Sequence, residues 1–237
     1  MTNLSRYHGL RPVDPIPLPE DPLPPPYVAS DQETVADEKY DGPPRLHILA
    51  ATWGGVTYTP VLQGMIDTKS QTLHLDLRNI FQKLQPDPAA GVQKVLSLVF
   101  RYDGDDFPKV LNISESSRRS ITITKEYAAG LHSHASPGYF ISSLSNPWRA
   151  SSNGQVEILA VLYGPKNIDH PSVYEQLGNY FEGRTKQIRM TNAFFRCDPW
   201  PYNRKSWAVY FRFVNSKRVQ VVTGWENQAL EQPWSRY

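Results

Sequence analysis

An all-β fold, built as two tandem sandwich-like modules behind a Pro-rich extended N-terminal arm, is what this sequence predicts, on three observations. The first is a repeated strand. Lys94-Val95-Leu96-Ser97-Leu98-Val99-Phe100-Arg101-Tyr102 recurs as Lys205-Ser206-Trp207-Ala208-Val209-Tyr210-Phe211-Arg212-Phe213: a Lys, an apolar run, then aromatic-Arg-aromatic. The second is spacing, because Asp87-Pro88 and Asp198-Pro199 precede those lysines at the same distance. The third is composition: 12% aromatic residues with 21 Pro and 14 Gly lean towards strands broken by turns.

In chain order, residues 1–44 come first and hold ten of the 21 prolines. Proline removes amide donors and fixes φ, so this arm is expected to be extended or disordered. It carries eight acidic and three basic residues, a balance of −5, which leaves 22 basic and 15 acidic residues, a balance of +7, on the remainder. The first β module is expected over 45–125. Leu46–Trp53 reads as a strand ended by Gly54-Gly55. Val61–Asp67 reads as a short helix or crossing segment. Leu73-His74-Leu75-Asp76-Leu77-Arg78-Asn79 alternates apolar and polar, the mark of a half-buried strand. The Lys94 strand is apolar on both faces in its middle, which predicts burial on both sides. Asp103–Asp106 is a turn, and Lys109–Ile113 returns as a hairpin partner. Ser120–Thr124 is one more short strand.

Residues 126–154, rich in Ser, Gly, Pro and Asn, read as a connector. The second module is expected over 155–237. Val156–Gly164 matches Leu46–Gly54 at an offset of 110, and Lys186–Asn192 matches the alternating strand at 113. Asp198-Pro199 and Lys205 match their counterparts at 111. Offsets this steady mark an internal duplication. Lys94 and Lys205 are placed to pair with Asp87 and Asp198 as a fold device present twice, and Arg101 and Arg212 to stack on rings or meet a carboxylate.

The two copies resemble a small module of uncharacterised fungal proteins, and the C-terminal domain of unknown function of some mitochondrial J-domain proteins. The matching residues are Trp53-Gly54-Gly55, Leu75, Leu77, Asn79, Asp87-Pro88, Gly91, Lys94 and Tyr102, then Tyr163-Gly164, Ile188, Met190, Asn192, Asp198-Pro199, Lys205 and Phe213. The second copy departs at Pro165 and Tyr202-Asn203, where the first has Gly. The resemblance implies a β-rich module and no known chemistry.

Several function classes are excluded by what is missing. There is no nucleophile elbow, Walker loop or dinucleotide fingerprint. The single cysteine, Cys197, forms no intramolecular disulfide and no Cys-His motif marks it as a nucleophile. His132-Ser133-His134 could show two imidazoles to one ion, but a site needs three or four ligands, so neither metal nor cofactor is expected. No secretory pattern and no apolar run of roughly 20 residues occurs, so a soluble cytoplasmic protein is expected. Without a Lys/Arg run, nucleic acid is not an expected partner.

One loop stands out. Trp200, Tyr202, Asp198, Asn203 and Arg204 combine flat apolar faces with directional polar groups, the needs of a bound ligand. The expected function is a non-enzymatic binding or interaction protein whose partner is a glycan or a protein. The alternative is an enzyme acting on a small hydrophobic metabolite between the modules, with Asp198, His132 or His134 as general acid or base.

Overall fold

The apolar runs of the repeat form the central strands. The computed structural model describes residues 42–231 except 77, 118–119, 130–132, 137–138 and 150–153, and without the side chains of 81, 129 and 133–136. The Pro-rich arm up to residue 41, Leu77 and His132 therefore lie outside the described residues.

The chain opens with β1 (Leu46–Trp53), β2 (Val56–Thr57), α1 (Thr59–Gly64), β3 (Leu73–Asp76) and α2 (Ile80–Lys83). Next come β4 (Val95–Tyr102), β5 (Lys109–Ser114), β6 (Ser120–Ile123) and α3 (Lys125–Ala129). The segment expected as a connector supplies three strands, β7 (Ser133–Ser136), β8 (Tyr139–Ser143) and β9 (Trp148–Arg149). The second copy then forms β10 (Val156–Tyr163), β11 (Lys166–Asn167), α4 (Pro171–Phe181), α5 (Asn192–Phe195), β12 (Ser206–Phe213) and β13 (Gln220–Trp225). Strand occupies 39% and helix 18%, in three antiparallel sheets, so the fold is built on β-structure.

The first sheet runs β2-β1-β4-β5-β8-β7, and the second runs β11-β10-β12-β13 with β9 also on β10. The sequence repeat returns as a repeat of register. Leu46 faces Tyr102 and Trp53 faces Leu96; Val156 faces Phe213 and Tyr163 faces Trp207. Even the irregularity recurs, between Ile48 and Ala50 in one pair and Ile158 and Ala160 in the other. Lys186–Asn192, expected as a strand, makes one bridge (Arg189 with Ala229) before Thr191 caps α5. Its Ile188 and Met190 carbonyls still accept from Leu230 and Asn227.

Each central strand buries both faces, as its sequence predicts. On one face of β1 and β4, Leu46, Ile48, Trp53, Leu96, Leu98 and Phe100 meet residues from α1, α2, β3 and β6 in a first cluster. On one face of β10 and β12, Val156, Ile158, Tyr163, Trp207, Val209 and Phe211 meet Val173, Leu177 and Phe181 of α4 in a second. The third cluster draws from both sheets: Ala50, Val99 and Val110 with Ala160, Leu162, Ala208 and Tyr210. The sheets thus meet face to face, one from each copy, each with its own helices outside. The Tyr210 hydroxyl crosses this interface to Ser97 Oγ at 2.9 Å and Thr52 Oγ1 at 3.4 Å.

Helix α4 has a sequence reason. Pro171 lies in its first turn, where a missing N–H leaves nothing unsatisfied. Val173, Leu177, Tyr180 and Phe181 then recur on one side at helical spacing and are buried.

Among charged residues, Glu157 on β10 is 1% exposed and is paired with Arg212 and Arg149. Arg212 thus takes the carboxylate option open to it in the sequence.

Candidate functional site

The loop from Cys197 to Lys205 is organised from below by a buried lysine. Lys205 is 2% exposed at the start of the run entering β12. An ammonium so placed needs every proton satisfied. Its Nζ donates to the carbonyls of Asn203 at 2.9 Å and Trp200 at 3.3 Å. It also meets Asp198 Oδ1 at 2.9 Å and Glu226 Oε2 at 3.3 Å, and sits 5.7 Å from the Tyr163 ring centre. Asp198 in turn accepts from the Trp200 N–H and from Asn192 Nδ2. Lys205 holds its carboxyl below the ordinary value of 3.8, against a smaller upward push from desolvation.

The first copy builds the same cage. Lys94, 3% exposed, donates to the carbonyls of Val92 at 2.8 Å and Ala89 at 3.1 Å. It meets Asp87 at 3.2 Å and Glu115 at 3.6 Å, under the Trp53 ring. The pairing of each Lys with its Asp, read from the sequence, is therefore present twice. The glutamates, Glu115 and Glu226, went unread. They lie 21 residues after their lysines in both copies, and each donates its backbone N–H to its lysine's carbonyl.

A glycine floors each cage. Gly54 and Gly164 both have φ of +53°, a left-handed value that side chains disfavour. A Cβ on Gly54 would stand 2.8 Å from Lys94 Cδ and 3.0 Å from Pro88 Cγ, whereas on Gly164 the nearest atom, Lys205 Cγ, is at 3.2 Å. Gly54→Ala is expected to destabilise by about 2–3 kcal/mol, from left-handed strain plus overpacking. Gly164→Ala is expected to cost less, and urea denaturation of the two variants checks the order.

What the second copy adds lies at the loop tip. The first has Ala89-Ala90-Gly91-Val92-Gln93, and the second Trp200-Pro201-Tyr202-Asn203-Arg204. Gly91 has φ of +75° and its counterpart Tyr202 φ of +65°. The Tyr202 side chain is fully exposed, at 107%. Arg204 lies 5.1 Å over the Trp225 ring and makes no ion pair among the described residues. Trp200 and Asn203 are half-buried, and Asn203 Nδ2 donates to the Pro201 carbonyl. Trp225 touches the other copy, since a Cβ on Gly55 would lie 3.1 Å from its Nε1.

Of the five loop residues singled out in sequence, Asp198 turns onto Lys205, Trp200 and Asn203 are half-buried, and Tyr202 and Arg204 are exposed. The histidines do not join them. His134 sits on β7 with its backbone opposite Ile141, while His47 pairs with Asp103, His74 with Thr122, and His170 caps α4. Among the described residues no group of three or more His, Cys, Asp or Glu could hold a metal ion. Burial raises the Cys197 thiol; Lys166 opposes this and Asp198 adds to it. Burial first, and Glu226 second, push the Tyr163 hydroxyl up. A cavity of about 350 Å³ opens elsewhere, among Gln176, Thr185, Gln187, Ile188, Arg189 and Phe194. Among the described residues no helix is long and apolar enough to cross a membrane.

No family model matches the chain, and neither a curated protein nor a solved structure matches it.

Proposed function

We propose that this chain is a non-enzymatic interaction protein, built on a duplicated β unit, which binds a partner protein through the loop Trp200–Arg204. One observation carries the reading. Tyr202 holds a left-handed backbone that its counterpart fills with Gly91, and does so with its ring wholly in solvent. A left-handed Tyr costs roughly 1–2 kcal/mol relative to Gly. Among the described residues, nothing the ring touches offsets that. Strain kept at an exposed aromatic is a signature of recognition. Near it in the loop stands exposed Arg204, laid over the buried Trp225 ring, and Tyr and Arg are among the residues that dominate binding energy at protein interfaces.

A protein fits this surface better than a glycan. A sugar needs polar groups in a free plane beside the ring. Those of Asp198 and Asn203 are engaged within the loop. An enzyme with a pocket between the two copies would need its cavity where Ala50, Val99, Ala160 and Tyr210 already meet.

The test is Tyr202→Gly. It is expected to raise stability by about 1 kcal/mol in urea melts. It is also expected to abolish a photo-crosslink from a benzoylphenylalanine placed at exposed Pro201, with the same probe at exposed Phe107 as background. A destabilised Tyr202→Gly would mean that the ring serves the fold, and would sink the reading. Saturable binding on a glycan array that Tyr202→Gly removes would replace the protein partner with a sugar.

A further inference from the structure

The duplication provides an internal template for an edge that one copy fills and that no described strand fills in the other. In the first sheet β5 is flanked by β4 and by β8. Its equivalent in the second sheet, β13, is flanked by β12 alone among the described residues. The consequence shows in burial. Every residue of β5 is buried, with Val110 and Leu111 at 0% exposure. Their counterparts Val221 and Val222 are half-exposed, although Val221 packs on the shared cluster and Val222 on the outer cluster of the second copy. Among the described residues, nothing completes the core of the second sheet along this edge.

The geometry points to β13 as a docking edge for an extended, apolar strand of a partner protein, added antiparallel to the second sheet. A sheet edge offers a row of N–H and C=O groups, and pockets for alternate side chains set the specificity. The first copy tells which chemistry fits. Lys109 to Ile113 face Ser143, Ser142, Ile141, Phe140 and Tyr139 in turn. Tyr139 and Ile141 complete the outer cluster, and Phe140 the shared one. Carried by 111 positions, the incoming strand lies along Gln220–Gly224, with three consecutive large apolar residues opposite Val222, Thr223 and Gly224. Lys217 and Arg218 stand exposed just before β13 and make no ion pair among the described residues. Antiparallel pairing brings the partner's C-terminal flank beside them, so acidic residues belong there. This edge and the Tyr202 loop are argued from different observations, and each fails or holds by its own test.

The test uses the full chain and a fluorescein-labelled peptide, Thr-Tyr-Phe-Ile-Ser-Ser-Glu-Glu-Glu, read by anisotropy. Saturable binding is expected. N-methylating the peptide at alternate residues separates a strand from a sticky patch: one of the two alternating sets is expected to lose at least tenfold affinity and the other to retain it. The double variant K217E/R218E is expected to weaken the acidic peptide at least fivefold and to favour a peptide ending in three lysines. Equal loss from both N-methylated sets, or no binding of the parent peptide, overturns the proposal. Two further results would overturn it. One is slow amide exchange in the free monomer at those of residues 220–223 whose N–H points away from β12, which means that the chain covers its own edge. The other is a concentration-dependent dimer whose formation slows that exchange, which means that a second copy does.

Discussion

Replacing Lys205 by Met is expected to cost about 3 kcal/mol of stability at neutral pH, and Lys94→Met a similar amount. The methionine keeps most of the stem volume, so the loss comes from what surrounds the ammonium. Glu226, only 14% exposed, would face the carbonyls of Trp200 and Asn203 with no proton between them. Leaving a buried acceptor unpaired costs more than the net worth of the bond it loses. The acid branch has a definite sign. The Asp198 carboxyl is held below its ordinary 3.8 in the folded chain, first by the hydrogen bond from Lys205. Its contribution is therefore full above the unfolded value and is lost as pH falls through the folded one. Stability measured by urea denaturation between pH 7 and pH 3 is expected to fall less in Lys205→Met than in the parent, because the variant has already lost that pair. A loss under about 0.5 kcal/mol at pH 7 would show that solvent screens the cage as it screens a surface ion pair.

Tyr210→Ala is expected to cost about 4 kcal/mol, with unfolding still in a single transition. The ring is fully buried in the cluster shared by the two sheets, and its loss opens a cavity there. It also strands Ser97 and Thr52, which remain hydrogen-bonded to one another at 2.7 Å. Tyr210→Phe removes the hydroxyl alone and is expected to cost about 1 kcal/mol. Burial pushes the Tyr210 hydroxyl up to about 12, with Ser97 and Thr52 pulling the other way. The unfolded chain releases that proton first, so this group's contribution holds below pH 10 and is lost as pH rises towards 12. Two separate transitions in Tyr210→Ala would mean that each copy folds by itself.

Much of this was legible because it was written twice. The Lys-to-aromatic-Arg runs marked the central strands, their two apolar faces and the Asp–Lys pairs. The hairpin of β4 with β5 was legible from the turn between them, whereas the pairing of β1 with β4 was not, because a repeat marks strands without saying which of them are neighbours. The face-to-face meeting of the sheets was less legible. A buried strand has two apolar faces, and its residues do not say whether a helix or the other sheet covers each. The sequence reading placed a sandwich within each copy, whereas the shared cluster lies between the sheets of the two copies. Helix α4 was overlooked despite a clear signal, Pro171 followed by Val173, Leu177, Tyr180 and Phe181. Strand β8 offers only Tyr139-Phe140-Ile141, too short a run for any period to declare itself. At the loop, the aromatic and polar residues were found because the other copy lacks them. That Asp198 would turn inward was foreseeable from its Lys partner. The left-handed Tyr202 was encoded in its alignment with Gly91, a glycine whose φ only the fold reveals.

The cluster between the sheets also bears on how such a chain arises. A single copy would leave Ala50, Val99 and Val110, or Ala160, Leu162 and Tyr210, facing water. Two copies of one such unit could cover these faces on each other, as the subunits of isologous dimers do. Gene fusion then replaces an association that fails on dilution with one held at an effective concentration in the millimolar range. It also releases the halves from being identical. Tyr202 where the first half has Gly91, and a flank of β13 that no described strand covers although β8 covers its counterpart on β5, are differences that such freedom allows.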